Sequence, residues 1–175
     1  SHHLTTAAGH EQRGLLEARL LLPDGRTTLS VYITHLDQRS EAVRMQQTRA
    51  LLQWVGRDRA RPHVLMGDFN ALSLADYEGR ARDMEALPNS NQSAHMLGDG
   101  AQVLPRLLRA GYVDRFTPQT GQQAYTYPAS APAVRIDYIL VSQPLAAATR
   151  RCQVWETPDT ALASDHLPLL AAINL

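Results

Sequence analysis

The stretch Thr27–Leu36 constrains the fold more than any other part of the chain. Leu29, Val31 and Ile33 alternate there with Ser30, Tyr32 and Thr34, and a two-residue period rich in β-branched side chains belongs to a strand. Leu15, Leu16, Ala18, Leu20, Leu21 and Leu22 precede it, closing on Pro23-Asp24-Gly25. Pro presets the first turn dihedral, Asp bonds the backbone ahead of it, and Gly tolerates a positive φ. The two runs therefore predict a β-hairpin entered near Arg13. Two strands alone are marginal in water and need a packing partner, which the next segment supplies. Ser40 suits an N-cap and Glu41 the first helical turn. Met45, Leu52 and Val55, widened by Leu51 and Trp54, mark the apolar stripe of a helix of about five turns ending before Pro62. Arg44, Gln47, Arg57, Asp58 and Arg59 fall on its expected solvent side.

Strands and helices continue in mixed order. His63–Met66 reads as a short buried strand leading straight into Gly67-Asp68-Phe69-Asn70. Residues 73–100 are the least regular, with a short helix expected around Ala75–Leu87 and a long loop at Asn89–Ser93. A helix starts near Pro105 and stops at Gly111, Tyr125 and Tyr127 flank a short strand, and Pro128 to Pro132 turns. Val134 to Val141 and Leu167 to Leu175 are the last strands. No repeat or linker divides residues 1–175, so one α+β domain is expected, long enough to bury roughly 70% of its unfolded surface.

Composition closes several routes to function. The 17 basic and 17 acidic side chains cancel, which excludes holding nucleic acid by bulk attraction and leaves only a local patch. Cys152 is the single cysteine, so neither a disulfide framework nor a cysteine-based zinc site is available. No run of 18 apolar residues exists to span a membrane. Residues 1–12 are polar and read as an exposed lead-in without a signal-peptide core; the compartment stays open.

Four polar groups share one kind of address, at or just past the end of a predicted strand: His35, the pair Asp68 and Asn70, Asp137, and Ser164-Asp165-His166. Strand ends hold side chains rigidly enough to converge on one substrate. Asp68 and Asn70, two apart on extended backbone, face one side while Phe69 points inward; they can align a water and a phosphoryl oxygen, or simply form a strand-exit turn. Asp137 interrupts an apolar strand, where a carboxylate is costly unless paired. Arg135 is one partner and His166 the better placed one, since a carboxylate fixes an imidazole's tautomer and raises its basicity. Asp165 can bind a hard divalent cation, or the triplet can be a turn. His35 gains meaning only from this company. His2, His3, His10, His63 and His95 lack such company and read as structural or exposed.

Taken in order, Thr34-His35-Leu36-Asp37, Gly67-Asp68-Phe69-Asn70-Ala71, Arg135-Ile136-Asp137-Tyr138-Ile139-Leu140 and Ser164-Asp165-His166-Leu167-Pro168 resemble the endonuclease/exonuclease/phosphatase superfamily, which includes DNase I-like nucleases, abasic-site endonucleases, sphingomyelinases and inositol-polyphosphate phosphatases. The resemblance implies a four-layer α/β/β/α sandwich with the site at one rim of the paired sheets. It implies that His35 and Asn70 touch the scissile phosphate and that Asp68 orients or deprotonates the attacking water. Asp137 would brace His166, with His166 the general base or a phosphate ligand. Asp165 would be a metal ligand, at least through water, and Mg²⁺ or Mn²⁺ would neutralise charge during in-line hydrolysis.

The chain also departs from that pattern. Such proteins usually run to about 250 residues or more as one domain and open with an Asn-bearing strand and a metal-binding Glu, neither of which precedes Arg13. The expectation is a fold lacking its N-terminal strands and helix, with an apolar face or unpaired edge that a homodimer or partner chain would cover. Two classes of function follow. One is a metal-dependent phosphodiesterase or phosphatase acting on nucleic acid or on a phospholipid or inositol headgroup. The other is a catalytically incomplete fragment or binding module. Arg106, Arg109, Arg115, Arg150 and Arg151 offer a basic rim or mere solubilising charge. Aromatics, at 6% of the chain, do not indicate a base-stacking platform, and Tyr125 and Tyr127 are expected at the core or a strand edge.

Overall fold

A computed structural model describes residues 1–78, 101–117 and 124–175. The predicted hairpin forms the start of the main sheet: β2 (Gly14–Leu21) pairs antiparallel with β3 (Thr28–His35), and β1 (His2–His3) adds to its outer side. Helix α1 (Glu41–Val55) then carries the chain back to β4 (His63–Asp68), which lies parallel to β3, the βαβ crossover that a parallel pair requires. Helix α2 (Val103–Arg109) leads into β5 (Tyr112–Asp114), and β6 (Asp137–Ser142) runs antiparallel to both β4 and β5. The six-stranded order is β1-β2-β3-β4-β6-β5. One-turn helix α3 (Gln143–Ala146), β7 (Thr149–Val154), one-turn helix α4 (Thr160–Ala163) and β8 (Leu169–Ile173) complete the chain, β7 and β8 forming a second, two-stranded sheet.

The strand period explains why the sheet is packed on both sides. Tyr32, Leu65, Tyr138 and Leu140 turn toward α1 and α2, meeting Leu51, Val55, Val103, Leu104 and Leu107. Their neighbours Leu29, Val31, Val64, Met66, Ile139 and Val141 turn the other way, with Leu145 and Ile173. The result is an α+β sandwich of a helical layer, the large sheet and the small sheet. The small sheet has two strands and no long helix outside it among the described residues, in keeping with a fold short of its N-terminal strands and helix. β2 extends past that cover: Leu16 and Leu20 stay 50% and 51% exposed opposite Ile33 and Leu29.

Several local expectations are corrected. The lead-in is not simply exposed, because Leu4 is buried and β1 pairs with β2. Ser40 does cap α1, its Oγ accepting from the Val43 N–H, but the buried face of that helix includes Arg44 and Gln47, both expected in solvent. Hydrogen bonds offset their burial. Arg44 donates to the Glu41 carboxylate (2.9 Å) and to the Asp37 carbonyl (2.9 Å), and Gln47 Oε1 accepts from the Asp37 N–H (2.8 Å). Glu41 in turn accepts from the Gln102 and Val103 N–H groups at the start of α2. Asp58, also expected outside, is buried and accepts from the Ser30 and Tyr32 hydroxyls at 2.5 and 2.8 Å. Polar residues thus seam α1 to α2 and to the loop after β3. Helix at Ala75–Leu87 survives as a 3₁₀ turn, Leu74–Tyr77; its remainder, the Asn89–Ser93 loop and His95 lie outside the described residues. Strands β5 and β7 were missed, and the run from Val134 is strand only from Asp137, Val134 making a single bridge to Tyr127.

Candidate active site

Strand register brings the first three polar groups into a row. In the parallel β3–β4 pair His35 lies opposite Asp68, and in the antiparallel β4–β6 pair Asp68 lies opposite Asp137. Their parity matches that of Val31, Val64 and Ile139, so they share the face turned toward the small sheet. Gly67 lets the row close up. Its φ is 134°, and a Cβ there would collide with the Thr34 carbonyl oxygen of β3, so only glycine permits this approach.

Beyond Asp68 the extended backbone ends, which corrects the picture of Asp68 and Asn70 on one straight strand. Asn70 has φ 47°, a left-handed conformation that Asn tolerates better than most residues. Its N–H donates to Asp68 Oδ1 (2.7 Å) and its side-chain amide to the Leu36 carbonyl (3.1 Å), pinning the exit of β4 to the exit of β3. Phe69 points into the core as expected, fully buried against Tyr138.

His166 arrives from the loop before β8. Its Nδ1 lies 2.8 Å from Asp137 Oδ2, and because a carboxylate only accepts, Nδ1 carries the proton and Nε2 is left for other chemistry. Asp137 therefore does pair with His166 and not with Arg135. That arginine is fully buried, fork-bound to Asp76 at 2.9 and 2.7 Å, bonded to Asp114 at 2.6 Å, and stacked between Phe116 and Tyr138. The Tyr127 ring packs on His166 with centroids 4.7 Å apart, whereas Tyr125 is buried against Tyr77.

His35, Asp68, Asn70, Asp137, Asp165 and His166 all line one open cleft of about 650 Å³, joined by Gln38, Arg39, Tyr127 and Ile136. Its electrostatics follow from crowding acids in a partly dry site. Burial and then the Asp137 charge push Asp68 up to about 6, against the pull of the Asn70 N–H and of His166. The Asp137 hydrogen bond raises His166 above the ordinary imidazole value, with burial opposing. Burial and the Arg13 charge lower His35, whose Nε2 stands 3.4 Å from Asp68 Oδ2. A carboxylate near 6 beside an imidazole of raised basicity is a pair suited to moving protons near neutrality.

Asp68, Asp137 and His166 offer ligand atoms within 4.8 Å of one another. Two close carboxylates with hard oxygens fit a divalent cation such as Mg²⁺ or Mn²⁺, and a cation there would relieve the repulsion that raises Asp68. Asp165 lines the cleft outside that tight group, its backbone carbonyl accepting from the Ala129 N–H.

Sequence reasoning missed Gln38 and Arg39. The loop bearing them is held by Asp37, whose Oδ1 accepts from the Arg39 and Ser40 N–H groups and whose Oδ2 meets His10 Nδ1 at 2.7 Å. An Asp two and three residues before such N–H groups is a recognisable turn signal. The proposed basic rim does not form here: Arg106 and Arg109 line a separate cavity, and Arg115, Arg150 and Arg151 another.

Comparison with known proteins bears on the family and the fold. Residues 7–166 match the Endonuclease/Exonuclease/phosphatase family. The chain is 29% identical over 170 residues to the uncharacterized protein YbhP of Escherichia coli (strain K12), covering 95% of this chain and 54% of YbhP. It thus spans about half the length of the curated relatives it matches. Among solved structures it resembles an endonuclease/exonuclease/phosphatase from Bacteroides vulgatus (TM-score 0.60, 21% identity, 94% of this chain and 56% of that one). It also resembles an AP endonuclease from Archaeoglobus fulgidus (TM-score 0.58, 22% identity, 91% and 65%). A third likeness is to the 3′ phosphatase NExo from Neisseria, bound to a product DNA hairpin (TM-score 0.60, 23% identity, 92% and 70%). At these identities the structural likeness is one of fold.

Proposed function

The chain belongs to the endonuclease/exonuclease/phosphatase family, and from that premise we propose that it carries the catalytic cleft of a divalent-metal-dependent phosphoesterase. The observation that carries the reading is the row His35, Asp68 and Asp137 across three adjacent strands, with His166 bonded to its end. Asp68 orients the attacking water and accepts its proton. Asp137 holds His166 with Nε2 facing the reaction, as a base or, when protonated, as a donor to a phosphate oxygen. His35 and the Asn70 carboxamide contact the scissile phosphate, and Arg39 adds a cation on the same wall. Mg²⁺ or Mn²⁺, held by Asp68 with Asp137 and, through water, Asp165, would supply charge neutralisation on the phosphoryl group.

A phosphate ester is the substrate class. The nucleic-acid side of that class draws support from the AP endonuclease and the DNA-bound 3′ phosphatase among the solved structures; a lipid or inositol headgroup is the competing occupant. Half-exposed Leu16 and Leu20 on the sheet face support the further reading that a second copy or a partner chain covers this surface, which sedimentation would show as a species heavier than the monomer.

Hydrolysis of bis(p-nitrophenyl) phosphate with Mg²⁺, with Mn²⁺ and with EDTA tests the proposal, using Asp68→Ala and His166→Ala as controls. The expected result is metal-dependent turnover lost in both variants. Turnover insensitive to both substitutions would overturn the assignment, and no turnover by the folded chain would favour a catalytically incomplete module.

A further inference from the structure

A second cavity, of about 520 Å³, opens at the opposite end of the central sheet. His63, which begins β4, lines it, whereas Asp68 at the other end of that strand lines the catalytic cleft; the two sites are separated by roughly 17 Å of strand. Three guanidinium groups stand around it: Arg59 from the turn after α1, and Arg106 and Arg109 from the last turn of α2. None of the three forms an ion pair among the described residues, and no acidic residue lines the cavity. Asp58, the nearest acid along the chain, is occupied by Ser30, Tyr32 and Arg61.

The inner wall is built. Ser142 is 3% exposed and its Oγ accepts from the His63 N–H at 3.0 Å; its own proton meets no acceptor among the described residues. His63 is fixed between the Arg61 carbonyl and the Tyr112 hydroxyl, both at 2.9 Å. Leu52, Val55 and Tyr112 supply the apolar part. Compensation of the α2 dipole explains basic residues in that helix's last turn. It does not explain Arg59, which comes from another element, nor the hydroxyl donor buried between them.

We propose that this cavity is an anion site distinct from the catalytic cleft, and that it binds a phosphate ester with a flat apolar body, of the mononucleotide class. The arginines take the phosphate, Ser142 donates from the inner wall, and the apolar wall covers the ring.

Calorimetric titration with AMP in the presence of EDTA tests this, with adenosine and inorganic phosphate as separate arms. The proteins are the chain itself, His166→Ala, which alters only the catalytic cleft, and the double variant Arg106→Ala/Arg109→Ala, whose exposed side chains leave the core intact. AMP should bind more tightly than phosphate, adenosine should not bind, and His166→Ala should change nothing. The double variant should bind about a hundredfold more weakly, since each of the two charge-assisted contacts it removes contributes roughly a factor of ten. No saturable AMP binding at millimolar concentration, equal binding by the double variant at an unchanged Tm, or loss of binding in His166→Ala would each overturn the proposal.

Discussion

Asp68→Asn should make the protein more stable at neutral pH while removing its proposed activity. Asp68 is held near 6 instead of the ordinary 3.8 by burial and by the charge of Asp137. A carboxyl with a raised folded-state pKa contributes stability in full below 3.8 and loses it as pH rises through about 6. At pH 7 the native state therefore carries an ionised group it tolerates poorly. The interval between 3.8 and about 6, at about 1.4 kcal/mol per pH unit, gives roughly 3 kcal/mol, reduced to about 2–3 kcal/mol by the remaining access to solvent. Asn removes the charge but keeps an Oδ1 to accept from the Asn70 N–H, now at 2.7 Å. Urea unfolding in EDTA should show the variant more stable by that amount at pH 7 and equal to the parent below pH 4. Adding Mn²⁺ should then stabilise the parent more than the variant, because a cation offsets the same repulsion. A variant no more stable than the parent at pH 7, or one whose gain persists unchanged at pH 4, would refute the reasoning.

Asp137→Asn should lower the His166 titration, seen by NMR, and shift the corresponding limb of the pH–rate profile to lower pH, with turnover reduced roughly tenfold or more as the imidazole loses its fixed tautomer. The stability that His166 contributes below about 6.5, and loses as pH rises through its raised value, should vanish with it. Gly67→Ala should cost roughly 2–4 kcal/mol in chemical unfolding, since β3 must move away from β4 to admit the methyl group. Arg135→Met, which removes the buried cation shared by the Asp76 and Asp114 carboxylates, should cost about 3–5 kcal/mol by the same measurement.

Local pattern carried the fold where one residue type had one reason to be where it is. The alternation in Thr27–Leu36 became β3, Ser40 became a cap, and the glycine after the second helix ended it at φ 100°. The reading failed where polarity and burial part company. Arg44, Gln47 and Asp58 look like solvent-facing residues because each is charged or amidic, and nothing within α1 reveals that Asp37, Ser30 and Tyr32 will satisfy them from β3 and the loop after it. Strand β5 was hidden for a similar reason. Three residues, Tyr112–Asp114, have no readable period, and pairing with β6 alone makes them a strand.

The candidate site was more legible than the fold because each of its residues stands out locally, as a polar group where an apolar strand ends. What the sequence leaves unstated is register, and register makes the site. A slip of one residue between β4 and β6 would turn Asp137 to the helical face and bury it among Leu65, Tyr138 and Leu140. The register that prevents this is fixed away from the cleft, where the Ser142 hydroxyl accepts from the His63 N–H at the far end of the same two strands. Gln38 and Arg39 were overlooked because neither sits at a strand end, and Tyr127 was expected at the core or a strand edge; loops tied by Asp37 and by the Tyr127–Val134 bridge carry them to the cleft. The residues proposed for the chemistry can thus be read singly from the chain, whereas the contacts that align them belong to side chains with no chemistry of their own.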